Sequence, residues 1–418
     1  MLISENGKVV LIDDKGEEIE DVLTTLAKHG IPYMYFDGTP DKLPETPLIG
    51  IRFVFLDIEL QGMKGQPNKT KASGAVARLK KIISKDNGPY VIIFWTGHQE
   101  VIPDILKNCT KEGISPVISF DLEKPLKGIY DIHKISERLE NKLKDIGAFQ
   151  LYVEWENNVN SASSQFVNAF STLVPTGQNW SKDTASIFYK LYLTYVDENT
   201  VNDEAEQFKC ACYLMNRSFS DTLELTTGRD LKLPVGFKLE KGTIDIDTIA
   251  KLNSSLFLCE TPVSRHKPGN VYLQNNVIIK KMLLNALFKG GGVPKKSNLC
   301  KVIISPECDI AHNKMILINE ADNVLKIAHR ILWGLMVPIN QEYKLNEKGR
   351  EGFFSVGPIW HENKAQVVIF HFGTISFQSE NEFSNGPLFT LSRDLLFDLQ
   401  SKAANHVNRL GNFQLESK

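Results

Sequence analysis

Long apolar runs are missing from this 418-residue chain. The strongest, Val91-Ile92-Ile93-Phe94-Trp95, falls far short of the roughly 20 residues that cross a bilayer, and no terminal lipidation motif is present, so a membrane role is not expected. Cysteine is sparse. The six residues Cys109, Cys210, Cys212, Cys259, Cys300 and Cys308 form no disulfide framework, and Met1 to Asn6 lack the charged and apolar regions of an export signal, which makes the cytoplasm the expected compartment. A charge excess is missing too. With 48 basic and 50 acidic residues the formal net charge is -2, so the overall electrostatic footprint of a nucleic-acid binder is absent. No internal repeat or low-complexity tract supports a solenoid or an array.

What is present is an ordinary globular composition, 42% hydrophobic and 23% charged, on a chain too long for one small core. From Lys8 to about Ile135, β-branched runs alternate with amphipathic stretches, the order of parallel strands joined by helical crossovers. Strands are expected at Val9 to Ile12, Tyr33 to Phe36, Arg52 to Leu56, Tyr90 to Trp95 and Pro116 to Phe120, with a first helix from Ile19 to His29 and a closing or linking helix from Ile132 to Lys144. Ser161 to about Asn216 is mostly helical in pattern, since Phe166, Val167, Phe170 and Leu173, then Phe188, Leu191, Tyr192 and Tyr195, recur at helical spacing, and its aromatic positions are expected as helix-packing core. Strand-like runs return from about Arg265, so three domains are expected: 1–135, α/β; 136–264, mainly helical; and 265–418, a mixed α/β or small-barrel module.

Chemistry concentrates at predicted strand ends. Asp13 and Asp14 follow the first strand, Asp57 the third, Thr96 the fourth, and Lys124-Pro125 comes soon after the fifth. Carboxyl ends of parallel strands form the ligand-binding edge of an open α/β sheet, and a hard cation such as Mg²⁺ takes carboxylate, water and phosphate oxygens.

Ile12-Asp13-Asp14, the run Leu56-Asp57-Ile58-Glu59-Leu60-Gln61-Gly62-Met63-Lys64-Gly65, Thr96 and Lys124-Pro125 occur in the order and approximate spacing of response-regulator receiver domains, which residues 6 to 135 resemble. That resemblance implies a flavodoxin-like fold with a parallel five-stranded sheet. It also implies Asp57 as phosphoacceptor, Mg²⁺ held by Asp13, Asp14 and Asp57, Lys124 and Thr96 on the phosphoryl oxygens, and a sensor histidine kinase or related ATPase as partner. The alternative is a pseudo-receiver that serves as scaffold or adaptor.

Two departures stand out. Asp121 takes the place of the aromatic residue that receivers carry three positions before the lysine, with Phe120 one place off. The stretch from Gly65 to Pro89 is long and carries Lys69, Lys71, Lys80, Lys81 and Lys85, read here as a solvated helix. Glu59, two residues after the acceptor, lies where receivers tune dephosphorylation.

In the C-terminal part, Val302 to His312 resembles a segment of uncharacterised proteins that join receiver-like domains in predicted bacterial conflict and phage-defence loci, which implies a defence context and a partner effector protein. A Cys308 site with His312, His329, His361 or His371 would make this region an enzyme acting on nucleic acid or nucleotides, but no CxxC or HExxH spacing supports it, and a buried cysteine is the preferred reading. Cys210 and Cys212 are read as core, and Gly290-Gly291-Gly292 as a surface loop without phosphate-loop spacing.

Overall fold

The computed structural model describes residues 8–122, 137, 141–142, 147–195, 203–230, 238, 241–259, 266–288, 293–306, 316–319, 325–339, 352–383 and 385–409. They divide into two compact units, Met1–Ile187 with Cys212–Glu240, and Phe188–Ala211 with Lys241–Lys418.

The first unit begins with β1 (Lys8–Ile12), α1 (Gly16–Lys28), β2 (Tyr33–Phe36), β3 (Ile51–Leu56), α2 (Asn68–Ile82), β4 (Val91–Phe94), α3 (Ile102–Lys111) and β5 (Ile118–Asp121). All five strands are parallel in the order β2-β1-β3-β4-β5, the flavodoxin-like arrangement expected. Strand residues alternate between the two faces, as the two-residue period requires. Val10, Ile12, Val54, Leu56, Ile92 and Phe94 pack with Ala72, Ala75, Leu79 and Ile105 of α2 and α3. Val9, Leu11, Phe53, Phe55, Val91 and Ile93 pack with Ile19, Val22 and Leu26 of α1. Burial on both faces explains why these strands read as continuous apolar runs.

The helix that closes the second face is α4 (Gly147–Ser171), whereas most of the stretch Ile132 to Lys144 lies outside the described residues. Phe149 meets Phe53 edge-on at 5.5 Å, and Arg52 of β3 holds Glu156 through two hydrogen bonds of 2.7 and 2.8 Å. Only the first half of α4 is tied down in this way. Farther along, Phe166 packs on Phe219 of α6 (Glu204–Asp230), reached through α5 (Trp180–Tyr195). Val167 on α4 and Leu173, just beyond its end, are 60% and 62% exposed. Cys210 and Cys212 are half-buried, and Cys210 lies against the buried Tyr192–Ala211 pair.

The second unit adds α7 (Ile246–Phe257), β6 (Leu258–Cys259), β7 (Asn270–Gln274), α8 (Val277–Leu287), β8 (Asn298–Ile303), β9 (Ile316–Asn319), β10 (Leu325–Pro338), β11 (Phe353–His361), β12 (Lys364–His371), β13 (Ser376–Ser379), β14 (Phe389–Leu391) and α9 (Arg393–Arg409). Its strands form one antiparallel sheet, ordered β11-β12-β10-β8-β7-β14-β6, with β9 and β13 also pairing with β10. The path is open and helices accompany it, so the module is mixed α/β. Asp245 caps α7 by accepting from the Thr248 amide, and Asn276 caps α8 by accepting from the Ile279 amide. Among the described residues no helix is long and apolar enough to cross a membrane.

Candidate functional site

Parallel pairing carries the chain off every strand of the first unit at the same edge. The Asp13 amide donates to Phe36 O (3.0 Å), the Asp57 amide to Ile12 O (2.8 Å), the Trp95 amide to Leu56 O (2.9 Å) and the Leu122 amide to Phe94 O (2.9 Å). These bonds extend the ladder by one residue and fix where the next side chain begins. Asp13, Asp14 and Asp57 each bring a carboxylate oxygen to one spot, all within 4.8 Å of one another, with Asp13 and Asp57 buried and Asp14 half-buried.

Local turns set these side chains. Asp13 Oδ1 accepts from the Lys15 amide (2.9 Å), and Tyr35 donates its hydroxyl to Asp13 O (2.7 Å), tying the first acidic turn to β2. Asp57 Oδ1 accepts from the Glu59 amide (3.2 Å), and buried Thr96 accepts from the His98 amide (3.2 Å). Behind the edge, the buried Arg78 guanidinium donates to Gly38 O (2.6 Å), Gly74 O (3.0 Å) and Gln61 O (3.3 Å), so one side chain joins α2 to the loops after β2 and β3. Gly38 sits at φ 76°, where a Cβ would meet Leu60 at 3.1 Å, and both conditions favour glycine there.

Oxygen donors alone, clustered at this spacing, suit a hard cation. Ligands on opposite sides of a six-coordinate Mg²⁺ stand about 4 Å apart, so small side-chain movements would close the cluster around one ion. Three carboxylates this close repel each other unless a cation intervenes. The expected acids and Thr96 thus share the edge; Lys124 lies outside the described residues.

Two residues not singled out for the site join it. Lys71 is buried, with its ammonium 3.0 Å from Glu59 Oε1, and His98 Nε2 is 3.0 Å from the same oxygen. Lys71's hydrogen bond, aided by His98, holds the Glu59 carboxyl below the usual carboxylate range against the opposing effect of burial. The solvated-helix reading of α2 is therefore wrong at Lys71, while Lys80 at the far end is exposed and reaches Glu112. A long aliphatic stem lets a lysine cross an apolar face to a waiting carboxylate, which charge pattern alone does not reveal. At the end of β5 the expected departure holds: Phe120 is core, and exposed Asp121 accepts from Gln99 Nε2 at 2.8 Å.

In the second unit Cys308, Asp309 and His312 lie outside the described residues, as do Gly290, Gly291 and Gly292. His361 and His371 sit at opposite ends of the β11–β12 hairpin, paired with Lys364 and Phe353. His329 on β10 instead meets His266 and Glu380, residues that no short motif connects to it.

No family model matches the chain, and no curated protein is significantly similar to it. Among solved structures, full-length FixJ from B. japonicum matches at 12% identity with a TM-score of 0.23, covering 54% of this chain and 90% of its own. So loose a likeness bears on nothing further; the receiver-like description of the first unit rests on its sheet order and its strand-end acids.

Proposed function

We propose that residues 1–135 of the first unit are a phosphorylation-controlled receiver. The meeting of Asp13, Asp14 and Asp57 at the carboxyl edge of a β2-β1-β3-β4-β5 sheet, beside Thr96, carries this reading. Asp13, Asp14 and Asp57 would hold Mg²⁺, which supplies charge neutralisation for an incoming phosphoryl group. An Asp57 carboxylate oxygen attacks phosphorus as the P–N bond of a phosphohistidine, or the P–O bond of acetyl phosphate, breaks. The leaving group departs with the bonding electron pair, and Asp57 becomes an acyl phosphate. The Thr96 hydroxyl donates to a phosphoryl oxygen, drawing the turn after β4 towards it, and Lys124 is the expected second charge partner. The added charge and acceptor oxygens then shift the edge loops.

In this reading the donor is a sensor histidine kinase or related ATPase, the setting is cytoplasmic, and residues 136–264 and 265–418 relay the signal to an effector protein. A role in bacterial phage defence rests on the resemblance of Val302 to His312. The test is the intact mass of the protein after incubation with Mg²⁺ and acetyl phosphate. A metal-dependent phosphate adduct, absent in Asp57→Asn, is the expected result; no adduct in the wild type would leave the fold as a scaffold and sink the proposal.

A further inference from the structure

His329 lies in the middle of the second unit's sheet, only 1% exposed, opposite Gln378 of β13. Among the described residues neither of its ring nitrogens has a hydrogen-bond partner, and neither does Nδ1 of His266. Leaving such a group unsatisfied in a core is costly, so a purely structural role would favour an apolar residue here. The unsatisfied nitrogens face other donors. His329 Nε2 is 3.5 Å from Glu380 Oε1, within ion-pair distance, and one ligand atom from each of His266, His329 and Glu380 lies within 4.8 Å of the others.

The packing holds the two imidazoles ready. Their rings are nearly parallel, 11° apart in plane with centroids 5.3 Å apart, and each meets the Phe383 ring edge-on at 5.6 Å. Tyr272 supports Phe383 from behind at 4.9 Å. Such an apolar wall limits water and holds ligand rings in place.

We propose that His266, His329 and Glu380 form a three-ligand site for a borderline divalent cation, Zn²⁺ being the best match. Two imidazoles and one carboxylate form a zinc donor set, and in a tetrahedral site with bonds of 2.0–2.1 Å neighbouring ligand atoms stand about 3.4 Å apart. The 3.5 Å separation of His329 and Glu380 is already close to that value. Glu380 lies at the surface, its side chain 45% exposed, so the fourth coordination position opens towards solvent and can take water or a substrate oxygen. Hard Mg²⁺ belongs with the oxygen-only cluster of the first unit, and the nitrogen donors here discriminate against it.

The experiment uses full-length protein stripped with a chelator, dialysed into excess Mg²⁺, and titrated with Zn²⁺ against a chromophoric competitor. One Zn²⁺ per chain is expected, with affinity reduced at least ~10-fold in Glu380→Gln and in His266→Ala, and unchanged in Asp13→Asn. Glu380→Gln is the principal variant because its surface position spares the fold; His329→Ala opens the core. Co²⁺ bound in place of Zn²⁺ should give visible bands without thiolate charge transfer. Failure of the wild type to take up Zn²⁺, full affinity in both ligand variants, or a cobalt–thiolate band would each overturn the assignment.

Discussion

The two sheets place their chemistry differently. In the parallel sheet of the first unit it sits at the strand ends, where Asp13, Asp14, Asp57 and Thr96 begin the loops and the strands themselves are filled with apolar side chains. In the antiparallel sheet of the second unit part of it sits on the strands, where Lys301 on β8, His329 on β10 and Gln378 on β13 are built into the ladder, and His266 and Glu380 join from the segments before β7 and after β13. A parallel sheet brings every strand out at one edge, so the loops can change without disturbing the core. An antiparallel sheet alternates its exits, and convergence depends on which residues register places side by side. The first arrangement suits a site that must move when modified. The second suits one held rigid.

The widest separation should come from pairing Asp57→Asn with Glu380→Gln in both assays. Asp57→Asn should lose the phosphate adduct completely and keep zinc affinity; Glu380→Gln should do the reverse. A variant that abolished both signals while remaining folded would break the comparison, because it would mean one shared site. Next in size is Arg78→Met. Arg78 is buried with three backbone carbonyls as acceptors, and removing it takes the donor from the Gly38 and Gln61 carbonyls outside α2, so the first unit should lose about 3 kcal/mol by urea unfolding. A loss below about 1 kcal/mol would show that the edge loops hold without it.

Alkaline pH sets Lys301 of the second unit apart by sign from the buried thiols and tyrosine of both units. The Lys301 ammonium donates to Gln378 Oε1 (2.6 Å) and Glu382 O (2.9 Å) and rests 4.1 Å above Phe383. Burial lowers its pKa to about 8, with the Glu382 charge opposing. Between that value and the unfolded 10.5, the unfolded chain keeps a proton that the folded one has released, so this lysine adds stability as pH rises. Adjacent Cys300 acts the other way, because burial pushes its thiol up and the unfolded chain ionises first. In the first unit, burial raises Tyr90 to about 12 and Cys109 to about 11, so both lower stability in alkali. The difference between wild type and Lys301→Met isolates the lysine: from pH 8 to 10.5 the wild type should gain on the variant by at most about 3 kcal/mol. A flat difference in chemical denaturation across that range would remove the buried ammonium from the account.

How legible each site was follows from the same geometry. Asp13, Asp14, Asp57 and Thr96 could be read because each follows an apolar run, and parallel order turns "after a strand" into "at the edge". Lys71 could not, since its burial depends on Glu59 reaching it from a different loop. His329 was read as one of several candidate histidines, but its partners His266 and Glu380 are set by the pairing of β13 with β10 and by the turn that follows β13. No local spacing records that pairing. Similarly, helical spacing named Val167 and Leu173 without revealing that both side chains are exposed and that α4 ends before Leu173.

The smallest expected effect is at Glu59, and it concerns how long a signal at the edge lasts. Its carboxylate is held by Lys71 and His98, each at 3.0 Å, while its amide donates to Asp57 Oδ1. A carboxylate held to the side by Lys71 and His98, its own pKa lowered, is a poor base for water attacking an acyl phosphate next to it. Lys71→Met removes the stronger tether, lets the carboxyl swing towards Asp57 and raises its pKa towards ordinary values. The adduct on Asp57 should then form normally and decay about threefold faster at neutral pH, far below the ~10²-fold of a well-placed general base. Adding Glu59→Ala to that variant should restore the longer lifetime, since the water would have lost its base. Decay followed by intact mass after removal of acetyl phosphate decides it: a lifetime unchanged in Lys71→Met would mean that the tether serves only to fix α2 against the loop after β3.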